Sequence, residues 1–344
     1  KITSTEFPST GYYIMRNGWN KDDLYMIISA GISAEKPDHQ HGDMLGIQAY
    51  AFGNMILPNY QVRYYLPDLE YFKNSWVKNV ALVDSITQGQ SWTGNKGGSG
   101  FGKFKKLPIP KIISWYKNTD IDIFTAEHNG CANLGVNYKR QVIFIKDGFW
   151  IVQDKFESNK EKRKFQQVWQ GHYNEELAMQ HYRSVFPNGA GLEILQLGDL
   201  PIKYSKGSAR GKGNLIFESK DTAAFAYTTL LMPFKDFETR LKEPKDLNSI
   251  KIQEWQIEGS GKSEINNTDA QVKLSKNQQV LLIAASYFLN NINELKVITG
   301  KADLYINIDT NSWEVVNCGF ENTEIKIQNQ QKILKPGEKL VFNW

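Results

Sequence analysis

The sequence has 344 residues, 41% of them hydrophobic and 23% charged, which excludes a disordered chain, a collagen-like chain and a coiled coil. Its 41 basic and 37 acidic residues leave a net charge of +4, too small an excess for nucleic acid to be the main partner but compatible with a local basic groove for an anionic ligand. No window carries the ~18 consecutive apolar residues of a membrane-spanning helix, and no signal peptide is recognisable. The chain opens at Lys1 and not at Met, which reads as a mature product or an excised piece.

Along the chain, short β-branched or aromatic runs alternate with polar or glycine-containing turns. They are Leu24–Ser29, Gly46–Ala51, Val80–Asp84, Gln141–Lys146, Phe149–Asp154 and Gln166–Trp169. Asp147-Gly148 between two of these runs predicts a hairpin with a type I′ turn. Helical periodicity is nearly absent, and Phe234–Lys242 is read as one short helical turn. Glu258–Ala270, rich in Gly, Ser, Asn and Asp, reads as a connection. Beyond it the strand runs resume at Val280–Ser286, Lys296–Val297, Leu304–Ile308, Glu324–Ile327 and Lys339–Phe342. The architecture implied is all-β. A large two-layer antiparallel β-sandwich covers residues 1–262, and a smaller C-terminal β-unit covers residues 263–344. Cys131 and Cys318 make no disulfide framework; they either pair or stand as two buried thiols.

Two glycine- or lysine-rich stretches read as loops. Gly97–Phe104 (GGSGFGKF) has the glycine spacing of a phosphate loop, but Phe104 stands where a magnesium-binding Ser or Thr is needed, and Pro108 and Pro110 follow where a helix should start. Lys203, Lys206, Arg210 and Lys212 read as a solvated basic loop. The sharper pattern is Pro37-Asp38-His39-Gln40-His41-Gly42-Asp43, which holds two of the five histidines. In an extended segment His39, His41 and Asp43 would project from one face. Imidazole and carboxylate together can fix a tautomer, poise a base or ligate metal. An apolar run follows, then Tyr60, Arg63, Tyr64, Tyr65 and Tyr71.

These residues carry a resemblance. The stretch DHQHGDMLGIQAYAFGNMILPNYQVRYY, followed by YFKNSWVKNVALVD, resembles the start of the C-terminal β-domain of heparinase II/III-type polysaccharide lyases, which include relatives acting on alginate. Looser matches are FTAEHNG around His128, YKRQVIFIKDGFWIVQDKFE, VWQGH around His172, and TTLLMPF ending at Phe234. In patches they cover about two-thirds of the chain.

The resemblance implies a lyase that cleaves uronate-containing glycans of heparin/heparan, chondroitin or alginate type by β-elimination, in a secreted or periplasmic setting, with an acidic polysaccharide as partner and neither nucleic acid nor membrane. It also implies an N-terminal (α/α) toroid that this chain lacks. The toroid would supply the group that neutralises the substrate carboxylate and a tyrosine, so this chain alone is expected to be inactive. His39 matches the family's active-site histidine. One of Tyr64, Tyr65 and Tyr71 corresponds to a catalytic tyrosine. Arg63, Asn79 and Trp92 are expected to contact substrate, with Trp76 and Trp115 as further sugar-facing rings or as core. A structural zinc of the family would use His41, a carboxylate near Asn59 and a histidine at Lys78. Asn59 and Lys78 do not support that site, so zinc is not expected; the Lys78 ammonium could replace its charge. No other cofactor is implied. The alternative reading is a non-catalytic carbohydrate-binding β-module of the same descent. No paired-carboxylate motif supports an unrelated hydrolase.

Overall fold

The computed structural model describes residues 3–31, 40–60, 62–63, 66–94, 102–159, 161–177, 180–197, 202–209, 212–241, 249–259 and 265–344. The chain forms two compact units, one of residues 1–112, 117–195 and 201–240, the other of residues 113–116, 196–200 and 241–344.

In the first unit, alternation of buried and half-exposed residues sets the opening sheet. Tyr13, Met15, Met26, Ile28, Ile47 and Ala49 point inward from three neighbouring strands. Five strands pair in chain order as an antiparallel meander: Thr5–Phe7, Tyr12–Arg16, Tyr25–Ser29, Gly46–Ala51 and Asn54–Leu57. A second sheet has eight strands. Its centre is built from Ile121–His128, Val136–Ile145, Phe149–Ser158 and Ala224–Phe234. A third sheet pairs Ile202–Ala209, Lys212–Ser219, Phe165–Gln170 and Val80–Val83.

The register shows how these layers meet, because residues paired across strands share a face. Phe124, Val142 and Val152 lie in one row, and Ala126, Arg140 and Asp154 in the next on the same face. From that face Phe124 meets Tyr13 of the five-stranded sheet, ring centroids 4.8 Å apart. From the same face Phe156 stacks on Phe165 of the four-stranded sheet at 4.7 Å. The two smaller sheets therefore lie side by side over the large one, joined where the Ile47 N–H donates to the Asn79 carbonyl at 3.2 Å. This is the two-layer antiparallel sandwich expected from the strand pattern.

The second unit is also all-β, with a seven-stranded and a four-stranded sheet. Leu304, Ile306, Trp313, Val315 and Phe342 of one sheet pack with Phe288, Leu295, Ile325, Ile327 and Leu334 of the other. Trp255–Gly259 pairs with Val272–Lys276, so strands on both sides of the Gly- and Asn-rich connection are neighbours in one sheet. Both cysteines are free thiols, Cys318 buried and Cys131 half-buried.

Local expectations are corrected in three places. The Asp147-Gly148 hairpin forms, but Ile145 pairs with Phe149, so three residues make the connection. Only Gly148 among them has positive φ, at 150°, which is not a type I′ turn. Lys146 leaves the ladder because its N–H donates to the Asp120 carbonyl at 3.0 Å and its ammonium reaches Asp122 at 3.0 Å. Over its described residues, 234–241, the stretch Phe234–Lys242 is not helical, and Lys242 lies outside the described residues. The strand Ala224–Phe234 ends in a turn in which the Thr239 hydroxyl accepts the N–H groups of Lys235 and Asp236, each at 3.0 Å. Lys203, Lys206 and Lys212 of the basic stretch lie in paired strands, Ile202–Ala209 with Lys212–Ser219, because the second strand finds a partner in Phe165–Gln170; Arg210 lies outside the described residues. Of the glycine-rich stretch, Gly97–Phe101 lies outside the described residues. Gly102–Lys106 is a strand paired with Gln90–Gly94, so no helix N-terminus follows the glycines.

Candidate active site

The turn after His39 is fixed by an unusual number of hydrogen bonds. The Gly42 N–H donates to the Lys73 carbonyl at 2.8 Å, and the Ser75 hydroxyl donates to the Gly42 carbonyl at 2.8 Å. The Gln88 side chain grips Met44 twice: its oxygen accepts the Met44 N–H at 2.7 Å and its amide donates to the Met44 carbonyl at 3.1 Å. The Leu45 N–H donates to the Ser29 carbonyl at 2.6 Å, and Arg140 donates to the Leu45 carbonyl at 2.8 Å. The helix Leu69–Lys73 and the 3-10 turn Ser75–Val77 are thus the shelf on which the motif rests. Asn74 between them accepts from Ser75 and Gly89 and donates to Thr87 and Gly89. A Cβ on Gly42 would fall 2.4 Å from the Asn74 Oδ1. That oxygen cannot retreat without breaking two bonds, which explains a glycine at the centre of the motif.

Charge is concentrated beneath this turn. Lys73 and Lys78 are each only 1% exposed. The Lys73 ammonium donates to the Gly102 carbonyl at 3.0 Å and lies 5.6 Å from the Trp92 ring centroid. The Lys78 ammonium donates to the Asn59 Oδ1. Burial, then Lys78, then Lys73 push the His41 pKa down to about 3, so its imidazole is neutral at pH 7. Burial lowers Lys78 to about 8, against the attraction of Asp43 and with the repulsion of Lys73. Burial also raises the Asp43 carboxyl, while Lys78 and its own N–H hold it down.

The expected site residues distribute as follows. His39, Tyr64 and Tyr65 lie outside the described residues. Arg63 is exposed in the connection ahead of the helix, and its carbonyl accepts the Leu66 N–H at 3.1 Å. Tyr71 is exposed on the helix, its ring 5.6 Å from that of Phe72, and partial burial raises its pKa. Trp92 is half-exposed and packs edge-on against Phe104 at 5.0 Å. Asn79 is 1% exposed. Both its amide hydrogens are spent on the carbonyls of Ile47 at 2.8 Å and Pro58 at 3.0 Å, and its oxygen accepts the Gln170 N–H at 2.6 Å. It braces the backbone beside Lys78 and has no hydrogen left to donate to a sugar. Trp76 packs against the Val80, Leu82 and Val168 cluster, and Trp115 is half-buried. The Tyr60 hydroxyl donates to the Gly213 carbonyl at 3.0 Å, and burial pushes its pKa up to about 12.

Sequence reasoning missed Lys73 and the pair Arg140–Asp154. Arg140 meets Asp154 in a fork, Nε to Oδ1 at 2.7 Å and Nη2 to Oδ2 at 2.8 Å, with both side chains fully buried. Its other nitrogen binds the carbonyls of Leu45 and Asn79, so one guanidinium holds both ends of the site. The available signal was a pair of opposite charges at the same register position of two neighbouring strands.

His128 is buried. Its Nδ1 accepts the Gly130 N–H at 3.2 Å, and burial lowers its pKa to about 4. His41 and His128 together predict acid sensitivity. Below pH 6.5 the unfolded chain takes up protons that the folded chain refuses until about pH 3 and 4 respectively. The unfolded state binds more protons in that window, so stability is full above it and falls as pH falls through it. For His128 the loss is roughly 3 kcal/mol. Urea unfolding midpoints should drop between neutral and mildly acidic pH, and His128→Gln should flatten the drop; an unchanged slope would remove His128 from the effect.

The donor set does not fit zinc. An ammonium has no lone pair to give, and Lys78 occupies the oxygen of Asn59 as its own acceptor. Among the described residues no group of three or more His, Cys, Asp or Glu side chains is placed to hold a metal ion.

A family model described as Heparinase II/III-like, C-terminal matches residues 2–226. No curated protein matches the sequence significantly. Among solved structures the chain is similar to a heparinase III gene product, with 14% identity and a TM-score of 0.57 over 99% of this chain and 42% of that one. It is also similar to the heparan sulfate lyase HepC from Pedobacter heparinus, with 12% identity and a TM-score of 0.55 over 97% of this chain and 42% of that one. At these identities the likeness speaks to the fold, and the chain spans less than half the length of either structure.

Proposed function

The chain belongs to the Heparinase II/III-like, C-terminal family, and from that premise we propose that it is the β-sandwich portion of a polysaccharide lyase that cleaves uronate-containing glycans by β-elimination. The observation that carries this reading is the pair of buried ammonium groups, Lys73 and Lys78, that act on a neutral His41. In a site shielded from water such charges act at longer range on an anionic substrate.

The reaction removes a C5 proton that is α to a carboxylate and too weakly acidic to leave unaided. The carboxylate must be neutralised, a base must take the proton, and an acid must protonate the departing glycosidic oxygen. In our reading His39 acts at this centre, and one of Tyr64, Tyr65 and Tyr71 moves a proton. Tyr71 suits the acid, because partial burial keeps its phenol protonated. Arg63 has the planar fork to pair with a uronate carboxylate, and Trp92 offers a ring face to a sugar. The remaining neutralising group and a second tyrosine belong to a helical toroid of the parent protein, which we place outside the cytoplasm, where such glycans are met.

The test is ultraviolet absorbance of the unsaturated uronate product when the parent protein meets heparan sulfate, chondroitin sulfate, hyaluronan and alginate. At least one should be cleaved, and His39→Ala should abolish turnover with thermal unfolding unchanged. Retained glycan binding without product from any of them would replace the lyase by a carbohydrate-binding module.

A further inference from the structure

We infer that the Lys78 ammonium is the fixed cation of this site, standing where the family resemblance implies zinc, and that the chain holds its His41–Asp43 turn without a metal. Burying an ammonium is costly unless its charge is used. Lys78 is 1% exposed, and its hydrogen bond among the described residues goes to a neutral amide, that of Asn59. The charged and titratable groups that act on it are Asp43, which attracts it, and Lys73, which repels it; it acts in turn on His41. The backbone leaves it little freedom. Lys78 ends the 3-10 turn Ser75–Val77, and the next carbonyl, that of Asn79, is held by the Ile47 N–H and by Arg140. The ammonium thus bears on the segments around residues 41–43, 59 and 78, which a tetrahedral zinc would otherwise join. A dication cannot share that space, because the ammonium repels it and supplies no lone pair.

Two measurements on the full chain decide this. The first is metal content and thermal unfolding of the wild-type protein purified without added metal. Zinc should be far below one equivalent, and a chelator should leave the unfolding temperature unchanged. Stoichiometric zinc, or destabilisation by the chelator, would overturn the inference. The second is backbone amide exchange at residues 41–43 in Lys78→Met and Lys78→Arg. Loss of the charge should speed exchange there, while the arginine variant keeps it slow. Loss of side-chain packing alone would not reproduce that split. Unchanged exchange in a folded Lys78→Met variant would also overturn it. Should Lys78→Met fail to fold, folding of Lys78→Arg supports the cation, and failure of both leaves the wild-type metal content as the deciding result.

Discussion

Residues 1–344 alone are expected to release no measurable unsaturated uronate from heparan sulfate, chondroitin sulfate, hyaluronan or alginate. The chain offers Arg63, His39 and a choice of Tyr64, Tyr65 and Tyr71, but Lys73 and Lys78, the lysines beneath the motif among the described residues, are buried and hydrogen-bonded. They can bias the potential of the site without touching a carboxylate. Asn79, the remaining amide, is tied to the backbone. Missing one group that stabilises developing negative charge costs about 3–4 kcal/mol, or roughly 10² to 10³ in rate. Losing one wall of a substrate cleft removes positioning worth several kcal/mol more. The similar structures are more than twice as long as this chain, which leaves room for both contributions elsewhere. The check is a long-incubation absorbance assay at high protein concentration beside the parent protein. Robust turnover by residues 1–344 would mean that the whole site lies within them, and the division of labour proposed above would be wrong.

The sandwich was legible because its strands follow rules that act locally. Gly46–Ala51 alternates as a half-buried strand must, and the run Gln141–Lys146 with Phe149–Asp154 announces a hairpin. The site was legible only in its motif. His41 and Lys78 are identified by spacing and resemblance, yet what holds them comes from residues that sequence patterns rank as ordinary. Asn74, Ser75 and Gln88 read as polar loop residues; they are buried because the backbone of residues 42–44 needs partners that no strand supplies. Arg140 and Asp154 carry no local pattern that reveals each as the other's counter-ion, because the pairing appears only in the strand register. The Asp147-Gly148 turn failed as a type I′ turn because Lys146 is drawn off the ladder by Asp120 and Asp122, a contact invisible at the level of a dipeptide.

Arg140→Met is expected to lower the unfolding free energy by about 3–5 kcal/mol, the largest stability effect of any single substitution at this site. The methionine fills most of the space, so the loss is electrostatic. Asp154 would remain buried with only the Tyr138 hydroxyl, at 2.7 Å, and the Gln167 amide, at 2.6 Å, to hold its charge. The carbonyls of Leu45 and Asn79 would lose a charged donor at the same time. Removing both partners separates these costs. In Arg140→Met with Asp154→Leu no lone charge is left, so most of the stability should return. The double variant should still loosen the turn at Leu45, because no guanidinium spans from the large sheet to the site. Urea unfolding of the wild type, each single variant and the double variant measures the coupling directly. A single-variant loss below about 1 kcal/mol would mean that the pair is dispensable to the fold. Full recovery of stability in the double variant, with slowed amide exchange at residues 42–46 as in the wild type, would mean that Arg140 balances Asp154 and does not position the site. Recovery of stability with faster exchange there is the expected result, because the fork to Asp154 and the bonds to Leu45 and Asn79 are separate uses of one side chain.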